Sequence, residues 1–426
     1  MLYLTFGLFI VFAFLGIPVA FSLGVSALVF MFANHVSTAL VPLDIFTGMD
    51  SFLLTAIPLF ILAGNLMNAA GLTEELIEFS KLFVGRIRGG LAYANVIISM
   101  IFAGMTGAGV SDTAAVGTIM IPGMEKDGYR KDYSTAVTVL SSTIGPVIPP
   151  SIPFIVYGSI TGLSIGSLFV AGIVPGILLG LCVMGTIFAG SRKEKLPRIE
   201  ERLPLRQKCI VIRDAVLALM MPVIILGGIL GGIATPTESA GIAAFYAFII
   251  GTFVYRKVTP RKFMKVLIES GITTGAVMIL MGTAAIFAYL LASEQFPQTV
   301  SNLVLSATTN KYLILVLINV ILWIFGMFLD VVPALLILIP VFLPLVEHVG
   351  VDPLHFGVIC VLNLSIGLAT PPVGMCLFVG ANISKLSIEK ISRALVPFLA
   401  ASVVALLITT YWQNLILYLP RLFGYQ

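Results

Sequence analysis

Ser141-Ser142-Thr143-Ile144-Gly145-Pro146-Val147-Ile148-Pro149-Pro150-Ser151-Ile152-Pro153 lies inside a long apolar segment, where an unbroken helix would be expected. Gly145 with Pro149, Pro150 and Pro153 cannot continue one. Those prolines donate no backbone N–H, and the residue before each is pushed towards extended geometry. The segment must unwind, and its carbonyls must find partners other than helical N–H groups. Unwound backbone at membrane depth is tolerated only against protein or a wet cavity. The hydroxyls of Ser141, Ser142, Thr143 and Ser151 flank the break, and bare carbonyls with hydroxyls make a hard-oxygen site suited to a small cation.

The device occurs again at Asn363-Leu364-Ser365-Ile366-Gly367-Leu368-Ala369-Thr370-Pro371-Pro372-Val373-Gly374. Ile-Gly-x-x-x-Pro-Pro begins at Ile144 and at Ile366, so the offset is 366 − 144 = 222 residues, about half the chain. Two interrupted apolar segments in corresponding halves point to a secondary-transporter binding site. The plainer alternative is a pair of kinked helices with no ligand, but packing alone hardly explains two double-proline breaks in register.

Bulk composition agrees with a membrane setting. The 426 residues are 59% hydrophobic and 10% charged, with mean hydropathy +1.09, which excludes a soluble domain. The net charge of +4 sits in loops, so it reports topology and not a nucleic-acid surface. Cys182, Cys209, Cys360 and Cys376 have no CxxC spacing, and neither a disulfide framework nor a thiolate metal site is indicated. His35, His348 and His355 fall near loops, which disfavours a histidine metal site. The apolar N-terminus has no basic region or small-residue cleavage site, so no removable signal peptide is read. Tyr3, Tyr411, Trp412, Tyr418 and Tyr425 near span ends fit an interfacial aromatic belt.

The positive-inside rule sets the orientation. Basic loops at 81–88, 125–132, 192–213, 256–265 and 385–393 go to the cytoplasm, and loops at 33–50, 294–311 and 347–355 go outside. Residues 89–124 then begin and end in the cytoplasm and form a re-entrant hairpin with its tip near Thr106–Asp112. Residues 312–346 form the mirror hairpin, tip near Gly326–Ala334. The apolar arms are about 11 to 16 residues, too short for a hydrocarbon core of about 30 Å. The expected fold is an all-α polytopic membrane protein of inverted repeats, with two re-entrant hairpins and two broken helices (133–158 and 357–381). The halves divide into scaffold (1–50 and 215–270), arm connections (51–88 and 271–311) and a transport unit (89–190 and 312–420). A cytoplasmic linker, 191–214, joins them, and a final span covers Leu395–Leu419. Pro18 and Pro236, like Asp112 and Asp330, stand 218 residues apart, so the shift to 222 implies a small indel.

The first tip, Gly104-Met105-Thr106-Gly107-Ala108-Gly109-Val110-Ser111-Asp112-Thr113, offers close backbone approach and oxygen ligands. Sodium is a hard cation and prefers oxygen. Asp112 and Asp330 lie in apolar surroundings, where an isolated carboxylate is costly. They either attract a cation or cap exposed N–H groups at the tips. Glu238, after Thr235-Pro236-Thr237, is read as a structural cap. Gly107-Ala108-Gly109 lacks a Walker lysine and a preceding strand, so it is no nucleotide loop.

Four stretches together resemble a known family: Thr106-Gly-Ala-Gly-Val-Ser-Asp-Thr-Ala-Ala, Gly145-Pro-Val-Ile-Pro-Pro-Ser, Ala234-Thr-Pro-Thr-Glu-Ser-Ala-Gly and Ala369-Thr-Pro-Pro-Val-Gly. They are similar to the large membrane subunit of tripartite ATP-independent periplasmic (TRAP) transporters, over about residues 5 to 420. The resemblance implies an elevator-type secondary transporter of the bacterial inner membrane, driven by a sodium gradient, and the two oxygen sites related by the repeat suggest two or more sodium ions per cycle. It implies an organic-acid substrate (sialic acid or C4-dicarboxylate class), a separate small four-helix membrane subunit and a periplasmic substrate-binding protein. It further implies cation ligands, mostly backbone carbonyls, at Gly104, Met105, Thr106, Gly107, Ser141, Thr143 and Gly145, and at Gly326, Gly367, Thr370 and Val373. The substrate region would comprise Ala108, Ser111, Asp112, Pro149, Pro150, Ser151, Asp330, Pro371 and Pro372.

Two rivals remain. One is a stand-alone sodium/carboxylate symporter without a binding protein. The other is an intramembrane aspartyl protease built on the two aspartates. Such proteases typically show Tyr-Asp and Gly-x-Gly-Asp, whereas the contexts here are Val110-Ser111-Asp112 and Phe328-Leu329-Asp330.

Overall fold

The computed structural model describes residues 2–84, 87–191, 196–198 and 204–425. Arg86 and the linker residues Arg192, Lys193, Lys195, Arg202, Glu194, Glu200 and Glu201 lie outside these. The described residues contain helices and no strand.

The first half opens with α1 (Leu2–Phe14) and α2 (Val19–Ala33), separated at Gly16-Ile17-Pro18. Then come α3 (Leu40–Met49), α4 (Ala56–Ala69), α5 (Leu72–Val84), the hairpin α6 (Gly90–Thr106) and α7 (Gly109–Lys126), the broken pair α8 (Lys131–Ser142) and α9 (Ile152–Thr161), and α10 (Ile165–Gly190). The second half runs α11 (Leu205–Leu230), α12 (Pro236–Ile249), α13 (Pro260–Ser293), α14 (Phe296–Ala307), the hairpin α15 (Lys311–Phe328) and α16 (Val331–His348), the broken pair α17 (Pro353–Gly367) and α18 (Met375–Ser384), and α19 (Ile388–Tyr411). It too has hairpin, broken pair and closing helix in that order, but has two helices, α13 and α14, where the first has α3, α4 and α5. A last short helix, α20 (Gln413–Leu422), follows.

Several boundaries differ from the sequence reading, each for a local reason. The hairpin arms have 17 and 18 residues in the first half and 18 and 18 in the second. Only Gly107-Ala108 and Leu329-Asp330 leave helical geometry, so the polar residues near the tips stay helical. At about 1.5 Å per residue, 18 residues reach about 27 Å, close to a hydrocarbon core of about 30 Å, so α15 and α16 are long enough to cross and are not the short arms expected. The linker is shorter than 191–214, because α11 starts at Leu205, directly after Pro204. The scaffold–arm boundary at 270 falls inside α13, a continuous helix of 34 residues. The broken helices extend to 131–161 and 353–384. The final span ends at Tyr411, where Trp412 leaves helical geometry. His355 is not a loop residue: it sits in the first turn of α17, 2% exposed.

Eight helices, among them α4 with its leading turn, α10, α13, α15, α16 and α19, are long and apolar enough to cross a membrane. The helices form two groups. In the outer group, α13 packs on α2, α3 and α4, α12 packs on α4, and α11 on α5 and α12. In the inner group the halves exchange elements. The α9 helix of the first half packs on α16 and α17, and α18 of the second half packs on α7 and α8. Lipid tails are as apolar as leucine, so such packing rests on close approach and hydrogen bonds. Both occur where α9 meets α17. The Tyr157 hydroxyl donates to the Pro353 carbonyl at 2.6 Å, and Gly357 leaves room for the Tyr157 ring.

Candidate functional site

Each hairpin tip lies against the break of its neighbouring helix pair. In the first, Gly107 has φ +63°, a left-handed conformation that glycine adopts without cost. A methyl group there would lie 2.5 Å from the Pro150 carbonyl oxygen, so tip and break touch backbone to backbone. In the second, Gly326 and Gly367 approach so closely that a methyl group on Gly367 would lie 2.6 Å from the Gly326 backbone. The Gly374 N–H donates to the Met327 carbonyl at 2.9 Å, which locks that break to its tip. The peptide bonds Pro149-Pro150 and Pro371-Pro372 are both cis.

The register between the two assemblies is 222 residues throughout. Gly104 corresponds to Gly326, Gly145 to Gly367, and the cis pair to the cis pair. This corrects the pairing of Asp112 with Asp330. In that register Asp330 corresponds to Ala108, the N-cap of α7, and the four-residue difference lies before the second hairpin and not after it.

The aspartates therefore do different work. Asp330 caps α16, accepting the Val331 N–H at 2.7 Å. Asp112 stands one turn inside α7 and caps nothing. Its Oδ1 accepts the Thr106 hydroxyl across the tip, and its Oδ2, in a residue 0% exposed, has no hydrogen-bond partner among the described residues. That oxygen points at Gly145, where any Cβ would collide with it. The Ser142 carbonyl borders both Gly109 and Gly145, 3.1 Å from where a methyl group on either would sit. An orphaned buried carboxylate oxygen beside a carbonyl and a hydroxyl fits a small hard cation.

The other hydroxyls are engaged locally. Ser141 pairs with Ser99 at 2.8 Å, tying α8 to α6. Ser142 donates to the Thr138 carbonyl at 2.8 Å and Thr143 to the Leu140 carbonyl at 2.7 Å. Ser151 caps α9 through the Phe154 N–H and donates to the Pro146 carbonyl. Asn363, the counterpart of Ser141, donates to Asn319 of α15 at 2.6 Å. Thr370 accepts the Trp323 indole N–H at 3.0 Å and donates to the Ile366 carbonyl at 2.9 Å.

Two of the expected site residues sit elsewhere. The Met105 carbonyl faces α4, 2.9 Å from where a methyl group on Gly64 would be, and not the break. Ser111 lies on the exposed side of α7. The first assembly is buried from Ser141 to Val147, whereas Pro372 and Val373 in the second are exposed and Pro371 half-buried. Glu238 closes a capping box with Thr235 at the start of α12. Ser99, Asn319, Trp323 and Gly64 escaped the sequence reading, since a lone polar or small residue in an apolar run shows its partner only once the helices are packed.

The family model described as "Tripartite ATP-independent periplasmic transporter, DctM component" matches residues 6–415. The chain belongs to this family. It is 43% identical to the isethionate TRAP transporter permease protein DctMQ of Oleidesulfovibrio alaskensis, over 95% of this chain and 64% of that one. It is 40% identical to the C4-dicarboxylate TRAP transporter large permease protein DctM of Pseudomonas aeruginosa, over 95% and 94%. A solved structure, that of the Alcanivorax borkumensis YdaH transporter, matches the fold with TM-score 0.60 at 14% identity, covering 88% of this chain and 87% of that one. The TRAP permease is thus a transporter component and not an enzyme, which removes the protease reading. In it, three of the four stretches that carry the resemblance join hairpin tips to breaks, and the fourth, at 234–241, caps α12.

Proposed function

We propose that this TRAP permease imports an organic acid, of the sialic acid or C4-dicarboxylate class, across the bacterial inner membrane down a sodium gradient. A periplasmic substrate-binding protein delivers the acid, and a small four-helix membrane subunit holds the permease in the bilayer. Asp112 carries the sodium part of this reading, because its buried Oδ2 has no partner and faces the first break. Thr106, Asp112 and the Ser142 carbonyl would hold one ion. When bound, sodium neutralises the carboxylate. The chain's own residues then act mechanically: Gly107 and Gly145 allow the tip to close on the break, and the Thr106 hydroxyl keeps the carboxylate turned towards it. A second ion would rest on the uncharged oxygens around Gly326, Gly367 and Thr370.

The exchange of α9 and α18 between halves supports an elevator motion, in which the inner group travels as one body against the outer group. Uptake into proteoliposomes containing the permease with its membrane and periplasmic partners tests the reading. Uptake should require an inward sodium gradient and strengthen with a negative-inside potential, each net charge moved being worth about 2.3 kcal/mol per 100 mV. Equal uptake in potassium alone would remove sodium from the mechanism. Full uptake without a binding protein would favour a stand-alone symporter.

A further inference from the structure

Two basic loops, more than half the chain apart, meet at one end of the inner group. Arg130 at the start of α8, with Lys390 and Arg393 in the first turns of α19, lines a cavity of about 390 Å³. Its floor is apolar, made by Pro397 and by the rings of Tyr133 and Phe398, which meet edge-on at 5.6 Å. Charge inside the cavity is partly offset. Arg130 pairs with Asp132 at 2.6 Å, and Arg393 carries Glu389 at 2.5 Å, whereas Lys390 has no acidic partner within ion-pair distance among the described residues. The cavity leads onto the neighbouring helices α10 and α19, which pack on each other. On the pocket side of α19, about two turns beyond Pro397, Val404 is 51% exposed, whereas Leu181 and Phe188 of α10 face away from the pocket-lining Thr186 and Gly190. A basic pocket that continues into bare apolar helix surface matches a molecule with an anionic head and long apolar tails.

We infer that this pocket binds the headgroup of an anionic phospholipid, with the acyl chains lying along α19. Basic pockets between membrane helices on the cytoplasmic side suit such headgroups. A free carboxylate or phosphate would meet the same cations and leave the adjoining apolar face unused. The site is separate from both tip–break assemblies, so it stands or falls independently of sodium coupling.

Native mass spectrometry of the purified complex, titrated with phosphatidylglycerol or phosphatidylcholine, tests this. The intact permease should retain one phosphatidylglycerol at a concentration about tenfold or more below that needed for phosphatidylcholine. Lys390→Gln with Arg393→Gln should abolish that preference. Lys257→Gln with Arg261→Gln, which removes equal charge from a different loop, should keep it. Matching melting temperatures establish that all three proteins are folded, and Arg393→Lys should retain the preference. Equal retention of both lipids by the unaltered protein would overturn the inference, as would a preference that survives in the Lys390/Arg393 variant. Displacement of phosphatidylglycerol by millimolar inorganic phosphate would also overturn it, since the site would then recognise a soluble anion.

Discussion

Asp112 and Asp330 carry the same side chain near two hairpin tips and hold it differently. Asp330 is a helix cap, and asparagine caps equally well. Asp330→Asn should therefore keep uptake and melting temperature near their original values, while Asp330→Ala should cost about 1 kcal/mol of stability. Asp112 offers a charge and no cap. Asp112→Asn should raise the sodium concentration for half-maximal uptake about tenfold or more, since one neighbouring charge at low dielectric is worth at least about 1.4 kcal/mol. Uptake by Asp112→Asn with unchanged sodium dependence would refute the assignment. Gly145 makes a second residue-level prediction. Gly145→Ala would drive a methyl group into the Asp112 carboxylate, an overpacking cost of about 1–3 kcal/mol that should lower melting temperature and uptake together. Gly123→Ala, in the same hairpin with nothing within 4 Å, should be neutral or stabilising by up to about 1 kcal/mol.

Among elements, the breaks were legible in the sequence, and the contacts holding them were not. Proline and glycine act on their own backbone, so Ile144–Pro153 and Ile366–Gly374 betray an interrupted helix without knowledge of any neighbour. The tip register was misjudged because identical residues, Asp112 and Asp330, were matched across a four-residue difference placed on the wrong side of the hairpin. Hydrogen bonds between helices depend on rotation about each axis, which apolar runs do not encode. Hence Ser99 and Trp323 passed as ordinary residues of the hairpin arms. Trp323 is the testable case. Trp323→Phe removes the donor to Thr370, and Thr370→Val then leaves nothing unsatisfied at that position. The single variant should lose about 1–3 kcal/mol in a melting assay, and the double variant should lose less than the sum of the two singles. Strict additivity would mean that the indole contact contributes nothing to holding the second break.

For the whole molecule, the exchange of α9 and α18 favours the proposed motion of the inner group as one body over relative motion of the two halves. Two disulfides separate these possibilities. A Cβ at Gly109 would lie 3.4 Å from Cys376 Sγ, so Gly109→Cys should bond to that native cysteine and join the halves within the inner group. Oxidised Gly109→Cys should keep transporting. The pair Gly64→Cys and Thr106→Cys joins α4 to the first tip, where a Gly64 Cβ would lie 3.3 Å from Thr106 Cα. Because Thr106 is itself a proposed sodium ligand, the reduced pair is the reference: oxidation should abolish the transport it retains, and reduction should restore that level. The opposite pattern would favour rocking halves.

The same exchange constrains how the protein is made. The surface of α7 that receives α18 begins at Gly109, and α18 itself begins at Met375, 375 − 109 = 266 residues later. At about 5–20 residues per second, the nascent chain spends roughly 13–53 s with that surface uncovered. Neither half completes its own packing, and a finished inner group forms only after the second break has been delivered to the first hairpin. A polypeptide arrested near residue 350 should accordingly remain bound to insertion factors, and its first hairpin should be cleaved by protease at sites that the completed chain protects.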